Sequence, residues 1–179
     1  MLKLIIPKTE LFDNATGEFI NIDETVLTLE HSLISISKWE ANWELPYLTT
    51  KTKTREQTID YIRCMSLKPN VDQNVYRCIT NEHIKAVNDY INKPMTATTF
   101  SDKNKSGKNK KITSEELYYQ MIELGIPVEF EKWHLNRLMT LIHVCVSYKT
   151  PGKKRSTADI IRDHKAINAA NRNRFKSKG

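Results

Sequence analysis

Glu24-Thr25-Val26-Leu27-Thr28-Leu29-Glu30-His31-Ser32-Leu33-Ile34-Ser35-Ile36-Ser37-Lys38-Trp39 contains the switch on which the fold turns. Its first half is rich in β-branched residues and reads as a strand. From Ser32 the spacing changes. Leu33, Ile36, Trp39 and Trp43 recur at intervals of three and four, so Ser32 reads as the cap of a helix that Pro46 ends. Upstream of the switch the pattern is that of strands, and downstream it is that of helices.

Upstream, Leu2, Leu4 and Ile6 alternate with Lys3 and Ile5. Asn14-Ala15-Thr16-Gly17 lies between Leu11-Phe12 and Phe19-Ile20 as a hairpin signal. Two or three short antiparallel strands are expected, and strands this short need a partner to pack on.

Downstream, Thr54 with Gln57 three residues on predicts a capped helix presenting Ile59, Ile62 and Met65. A further helix is expected from Asp72 through Val75, Tyr76 and Ile79. Another opens at Thr80 or Asn81, carries Ile84, Val87 and Ile91, and stops before Pro94. Thr113-Ser114-Glu115-Glu116 starts the next, with acidic residues in its first turn, and Gly125-Ile126-Pro127 ends it. Phe130 to Ser147 is the most apolar stretch. Apolar residues cover most of its circumference, which predicts a central helix with Trp133, Leu138, Leu141, Ile142 and Cys145 in the core. Pro151-Gly152 breaks it, and a polar helix anchored by Ile160, Ile161 and Ile167 follows.

The expected fold class is therefore mainly α: a bundle of six to seven helices preceded by a small N-terminal antiparallel β element. Residues 1–31 form that β element, residues 32–150 a helical domain with a mobile basic loop at 101–112, and residues 151–179 a basic helical extension.

The chain has 179 residues, 39% hydrophobic and 27% charged, a composition that suits a globular domain. Its apolar runs fall well short of the ~20 residues that span a bilayer. The first seven residues are too short for a signal-peptide core, so a soluble intracellular protein is expected. The net charge of +7 is unevenly spread: residues 1–100 carry −2, 101–112 carry +4, 113–148 carry −3 and 149–179 carry +8. Basic segments of this kind are usually solvated arms. Cys64, Cys78 and Cys145 form no CxxC pair, which argues against a zinc knuckle or a thioredoxin-like motif.

No Walker loop, GxGxxG, HExxH or GxSxG motif is present, and five glycines leave little for phosphate-cradling loops. No catalytic, cofactor-binding or metal-ligating residue is assigned, and the chain is not expected to be an enzyme. Glu115-Glu116 reads as a helix start rather than an acid–base pair. His134, Asn136, Arg137, Thr140 and His143 interrupt the apolar helix and read as a polar seam of internal hydrogen bonds. Metal binding by His134 and His143 is disfavoured, because nine residues of helix separate them by about 13 Å.

Trp39, Trp43 and Trp133 are spaced like core anchors. Trp43 lies at its helix end beside Leu45-Pro46-Tyr47, so Trp43 and Tyr47 are candidate partner-binding residues at a rim. Lys153, Lys154, Arg155, Arg172 and Arg174 in the basic tail are the other candidates. Charge alone could bring nucleic acid to this tail. It lacks interleaved aromatics apart from Phe175 and follows no helix-turn-helix signature, so nucleic acid is disfavoured as a partner.

Four stretches carry a family resemblance: Ser32-Leu33-Ile34-Ser35-Ile36-Ser37-Lys38-Trp39-Glu40, Tyr61-Ile62-Arg63-Cys64-Met65, Tyr90-Ile91-Asn92 through Met95-Thr96-Ala97-Thr98, and Lys132-Trp133-His134-Leu135-Asn136-Arg137-Leu138. In this order and spacing, over most of residues 1–150, the chain resembles tailed-bacteriophage tail assembly chaperones and tail-module proteins. The resemblance implies a non-enzymatic protein without a cofactor that binds the tape-measure protein and hands it to the tail tube protein. It would act in the host cytoplasm during virion assembly, with self-association left open and no membrane involved. A structural virion protein (a neck, tail-completion or baseplate subunit) is the first alternative. A basic-tailed nucleic-acid-binding protein is the second.

Overall fold

The computed structural model describes residues 1–13, 17–98 and 112–149, together with 161, 162, 165, 167 and 168. Residues 1–145 form one compact unit and 146–179 a second.

Four strands open the chain: β1 (Leu2–Ile6), β2 (Thr9–Asp13), β3 (Glu18–Ile22) and β4 (Thr25–Leu29). They make two separate two-stranded antiparallel sheets, with β2–β3 inserted between the paired β1 and β4. Register fixes which faces are buried. Leu2 lies opposite Leu29 and Leu4 opposite Leu27, so Leu4, Ile6, Leu27 and Leu29 enter the core while Lys3 and Ile5 face solvent. In the inserted hairpin Leu11 lies opposite Ile20, and Phe12 opposite Phe19 on the outer face. Gly17 takes φ +72° at the turn, and its N–H bonds to the Asp13 carbonyl at 2.8 Å.

Helices follow at α1 (Leu33–Trp43), α2 (Arg55–Met65), α3 (Gln73–Arg77), α4 (Asn81–Ile91), α5 (Ser114–Leu124) and α6 (Leu135–Lys149). The caps at Ser32 and Thr54 are those the sequence suggested, and the other caps lie where helix starts were expected. Ser32, Thr54, Asp72, Thr80 and Thr113 each accept a bond from a backbone N–H of the first turn, and Thr54–Gln57 closes a capping box. Glu44 and Gly125 end α1 and α5 in the left-handed region.

The expected fold class needs correction. The β segment is not one small element of two or three strands ahead of a bundle of six to seven helices. It comprises four strands in two ribbons, and β1–β4 supplies one wall of the core, with α4 packed against β1. Helices pack against the β1–β4 ribbon because its strands turn every second side chain inward, and the apolar face so formed must be covered. What stands is a helix-rich chain of six α-helices among the described residues, with its strands confined to residues 2–29.

The expected central helix is corrected as well. Residues 130–147 are not one helix. A 3-10 segment, Val128–Lys132, precedes a break at Trp133-His134, where His134 forms a β-bridge with Ser32 before α6 begins. Only Leu135, Leu138 and Ile142 of α6 are buried, on a single face. Leu141 and Cys145 are half-buried beside that face, and Val146 and Tyr148 are exposed. Trp133 lies outside the core, stacked on Phe130 with centroids 4.0 Å apart and capped by the Arg137 guanidinium. Apolar residues around a helix need not all be buried, since folded surfaces carry many exposed apolar atoms. The centre of the core is instead Trp39, Leu33 and Ile36 of α1 against Ile62, Met65 and the β1–β4 ribbon.

The proposed basic loop at 101–112 lies outside the described residues apart from Ile112, and so does most of the extension at 151–179. Ile161 and Ile167 of that extension are helical and exposed.

Candidate functional site

Three features outside the apolar core hold the chemistry: a buried polar junction, an open groove and a small lysine-lined cavity.

The junction joins the β4–α1 connection to the start of α6. The backbone carbonyl of His31 accepts from Leu135 N–H at 2.7 Å, and the His31 and His134 rings meet edge to face. His31 Nδ1 lies 2.5 Å from the Tyr61 hydroxyl, and Tyr61 stacks on Tyr47. His134 Nε2 bonds to the Tyr90 carbonyl at 3.3 Å, and its Nδ1 accepts from Asn136 N–H. That pairing places the proton on Nε2 of a neutral ring. Tyr90 in turn donates its hydroxyl to Glu30, and the terminal ammonium of Met1 lies 3.0 Å from the same carboxylate. Burial, with the nearby His134 adding to it, holds the His31 pKa down to about 3. Burial also lowers His134, partly opposed by its bond to the Tyr90 carbonyl. Burial raises the Tyr61 hydroxyl well above its ordinary value. His31, Tyr61 and His134 are neutral, bonded and buried, and the Glu30–Met1 ion pair lies at their edge. They act as a structural clasp.

Of the polar residues singled out on the last helix, Asn136 donates to the Ile91 and Lys93 carbonyls, satisfying the end of α4. Thr140 bonds back to the Asn136 carbonyl, while Arg137 and His143 face outward.

The groove runs between the end of α1, α2 and α3. It encloses about 630 Å³, is largely apolar, and has Trp43, Ile59 and Tyr76 among its walls and Arg55, Arg63 and Arg77 at its edges. Glu56, Asp60 and Gln73 complete it. Trp43 is half-buried, stacked on Trp39, and fixed by a 2.9 Å bond from its indole N–H to Asp60. Burial works against the charged form of Asp60, but bonds from Trp43, Arg63 and Asn42 hold its carboxyl below the ordinary value. Arg55 donates to two neutral oxygens, the Ile79 carbonyl at 2.6 Å and Asn81 Oδ1 at 2.7 Å.

No family model, no curated protein and no solved structure matches the chain.

The candidate partner-binding residues are thus distributed as follows. Trp43 lies in the groove wall. Tyr47 is buried, stacked on Tyr61 beneath the Lys53 ammonium, and faces a different cavity. Lys153, Lys154, Arg155, Arg172 and Arg174 lie outside the described residues. Among the described residues no group of three or more His, Cys, Asp or Glu side chains could hold a metal ion, and no helix is long and apolar enough to cross a membrane. The three cysteines are free thiols, and burial pushes Cys64 up to about 11.

Sequence reasoning missed the groove's arginine edge and the clasp. Arg55, Arg63 and Arg77 converge only because α2 and α3 fold beside each other. His31 had one sequence signal, an ionisable residue at the boundary of an apolar strand and an apolar helix.

Proposed function

We propose that this chain is a non-enzymatic tail-morphogenesis protein of a tailed bacteriophage that binds the helical tape-measure protein during assembly. The observation that carries the reading is the open groove at Trp43: a volume of about 630 Å³ whose exposed surface is largely apolar, lined by Trp43, Ile59 and Tyr76 together with three arginines, Glu56, Asp60 and Gln73. A groove of this kind accepts an amphipathic helix, with apolar anchors inside and polar contacts at the rim. The sequence resemblance supplies the partner's identity, and the groove supplies a place for it. In this reading the basic tail steers the encounter.

The experiment is co-expression with a tape-measure fragment, followed by mass spectrometry of purified virions. The expected outcome is a stable complex in the co-expression and absence of this chain from finished particles. Abundant peptides of the chain in virions would replace the chaperone reading with that of a structural subunit.

One observation favours that structural alternative. Phe12 and Phe19 pair on the outer face of the β2–β3 hairpin with centroids 5.1 Å apart, and both are exposed. An exposed aromatic pair on the outer face of a ribbon would suit a subunit contact in a ring. The nucleic-acid alternative rests on the tail's charge of +8 and is tested by the salt dependence of DNA binding.

A further inference from the structure

A second cavity, independent of the groove and of the reading built on it, lies between the α1–α2 connection and α4. It encloses about 270 Å³; Lys51, Lys53 and Thr58 line one side, Ile84, Asn88 and Ile91 the other, and Tyr47 and Tyr61 close its floor. Among the described residues no Asp or Glu lines it. Lys53 is half-buried. Its ammonium donates to the Thr50 carbonyl at 2.9 Å and rests 4.1 Å from the centre of the Tyr47 ring and 5.8 Å from that of Trp39. Tyr47 cannot yield, because it is stacked on Tyr61, whose hydroxyl is held by His31.

A desolvated ammonium without a carboxylate is costly, and an ordinary lysine avoids the cost by extending into water. Lys53 instead is held over an aromatic ring, and among the described residues one of its three N–H groups is committed to a carbonyl. Lys51, exposed at the mouth, adds a second positive charge to the same opening. Across the cavity Ile84 and Ile91 offer half-buried apolar surface. A fixed cation on one side and an aliphatic wall on the other match a small molecule with one anionic end and one short apolar end. We propose that this cavity binds a small carboxylate, its oxygens on Lys53 and Lys51 and its apolar body against Ile84 and Ile91. Burial lowers the Lys53 pKa, and a bound carboxylate would oppose that shift.

The test is a two-dimensional NMR titration of the full chain with sodium benzoate and sodium acetate at constant ionic strength. Benzoate is expected to shift the amides of Thr58, Ile84 and Asn88 saturably and to bind about fivefold more tightly than acetate, through the apolar contact. Lys53→Met should weaken benzoate about tenfold or more, as loss of a charged hydrogen bond does, while Lys53→Arg keeps most of the affinity. A capped tetrapeptide with an internal Glu is the competing source of the same chemistry. If it binds more tightly than benzoate, the small-molecule assignment falls. Shifts that never saturate, or equal affinity in Lys53→Met, overturn the site. Should that variant not fold, the titration of the Lys53 side chain in the natural protein decides. A pKa that rises in saturating benzoate supports the proposal, and one that stays unchanged refutes it.

Discussion

The imidazoles of His31 and His134 meet edge to face, with centroids 5.2 Å apart and ring planes at 70°, although 103 residues separate them in the chain. His31 closes the β4–α1 corner and His134 precedes α6, so this contact fastens the start of α6 to the start of α1. Both rings are buried, at 2% and 6% exposure, and His134 cannot accept a proton without losing the bond that its Nδ1 accepts from Asn136 N–H.

A pH dependence follows. The folded-state pKa of His31, about 3, lies below its ordinary value of 6.5, and that of His134 is also lowered. The unfolded chain therefore binds protons that the folded chain refuses. Stability contributed by His31 is complete above pH 6.5 and is lost as pH falls from there toward 3. The slope for one such proton is about 1.4 kcal/mol per pH unit. Urea denaturation at pH 7.5, about 5.5 and about 4.5 should show that fall, and His31→Gln should lower stability at pH 7.5 while flattening the slope by one proton. An unchanged slope in the variant would mean that His31 is not the refusing group.

Glu40 offers a second test. Its two carboxylate oxygens accept from Tyr47 N–H and Ser114 N–H, each at 2.8 Å, and so tie the α1–α2 connection to the start of α5. The residue is 9% exposed, and Ser114 N–H is one of the unpaired donors of a helix N-terminus. Glu40→Ala leaves both donors buried without an acceptor and should cost about 2–4 kcal/mol by denaturant unfolding, with Glu40→Gln costing roughly half. Hydrogen exchange at Tyr47 and Ser114 should accelerate together in either variant.

The one-sided burial of α6 predicts a sharp contrast along that helix. Leu138 is fully buried, and Leu138→Ala should cost about 2–5 kcal/mol through lost burial and the cavity left behind. Trp133, stacked on Phe130 beneath Arg137, should cost only about 1 kcal/mol when changed to Ala. Equal losses would show that Trp133 reaches the core after all.

Much of the local structure was legible because it is decided within four residues. The caps at Ser32, Thr54, Asp72, Thr80 and Thr113, the alternation in β1 and the turn at Gly17 are each local choices between backbone and side chain. What escaped depends on contacts across the chain. Nothing near Leu2 says that its partner is Leu29 rather than a residue of β2, and that pairing is what turns the β segment into a wall of the core. Trp133 failed for a related reason, because helical periodicity cannot see the backbone break that His134 makes in pairing with Ser32. Trp43 was legible as a rim residue by its place at a helix end. The groove around it was not, since Ile59, Tyr76 and Arg77 arrive from other elements.

The groove and the tail can be separated kinetically. If a tape-measure helix seats at Trp43, most of the binding free energy lies in apolar contact, and long-range charge mainly speeds the encounter. Trp43→Ala removes the wall and frees Asp60 from the indole bond, so it should raise the dissociation rate about tenfold or more with little change in association. Trp43→Phe keeps most of the surface and loses only the N–H, and should fall between. Deleting residues 153–179 should slow association and flatten its dependence on salt, leaving dissociation nearly unchanged. Stopped-flow measurements against a tape-measure fragment at several salt concentrations resolve the two effects. Should the tail deletion abolish binding at every salt concentration while Trp43→Ala changes nothing, the groove is not the seat, and the basic tail itself must carry the contact.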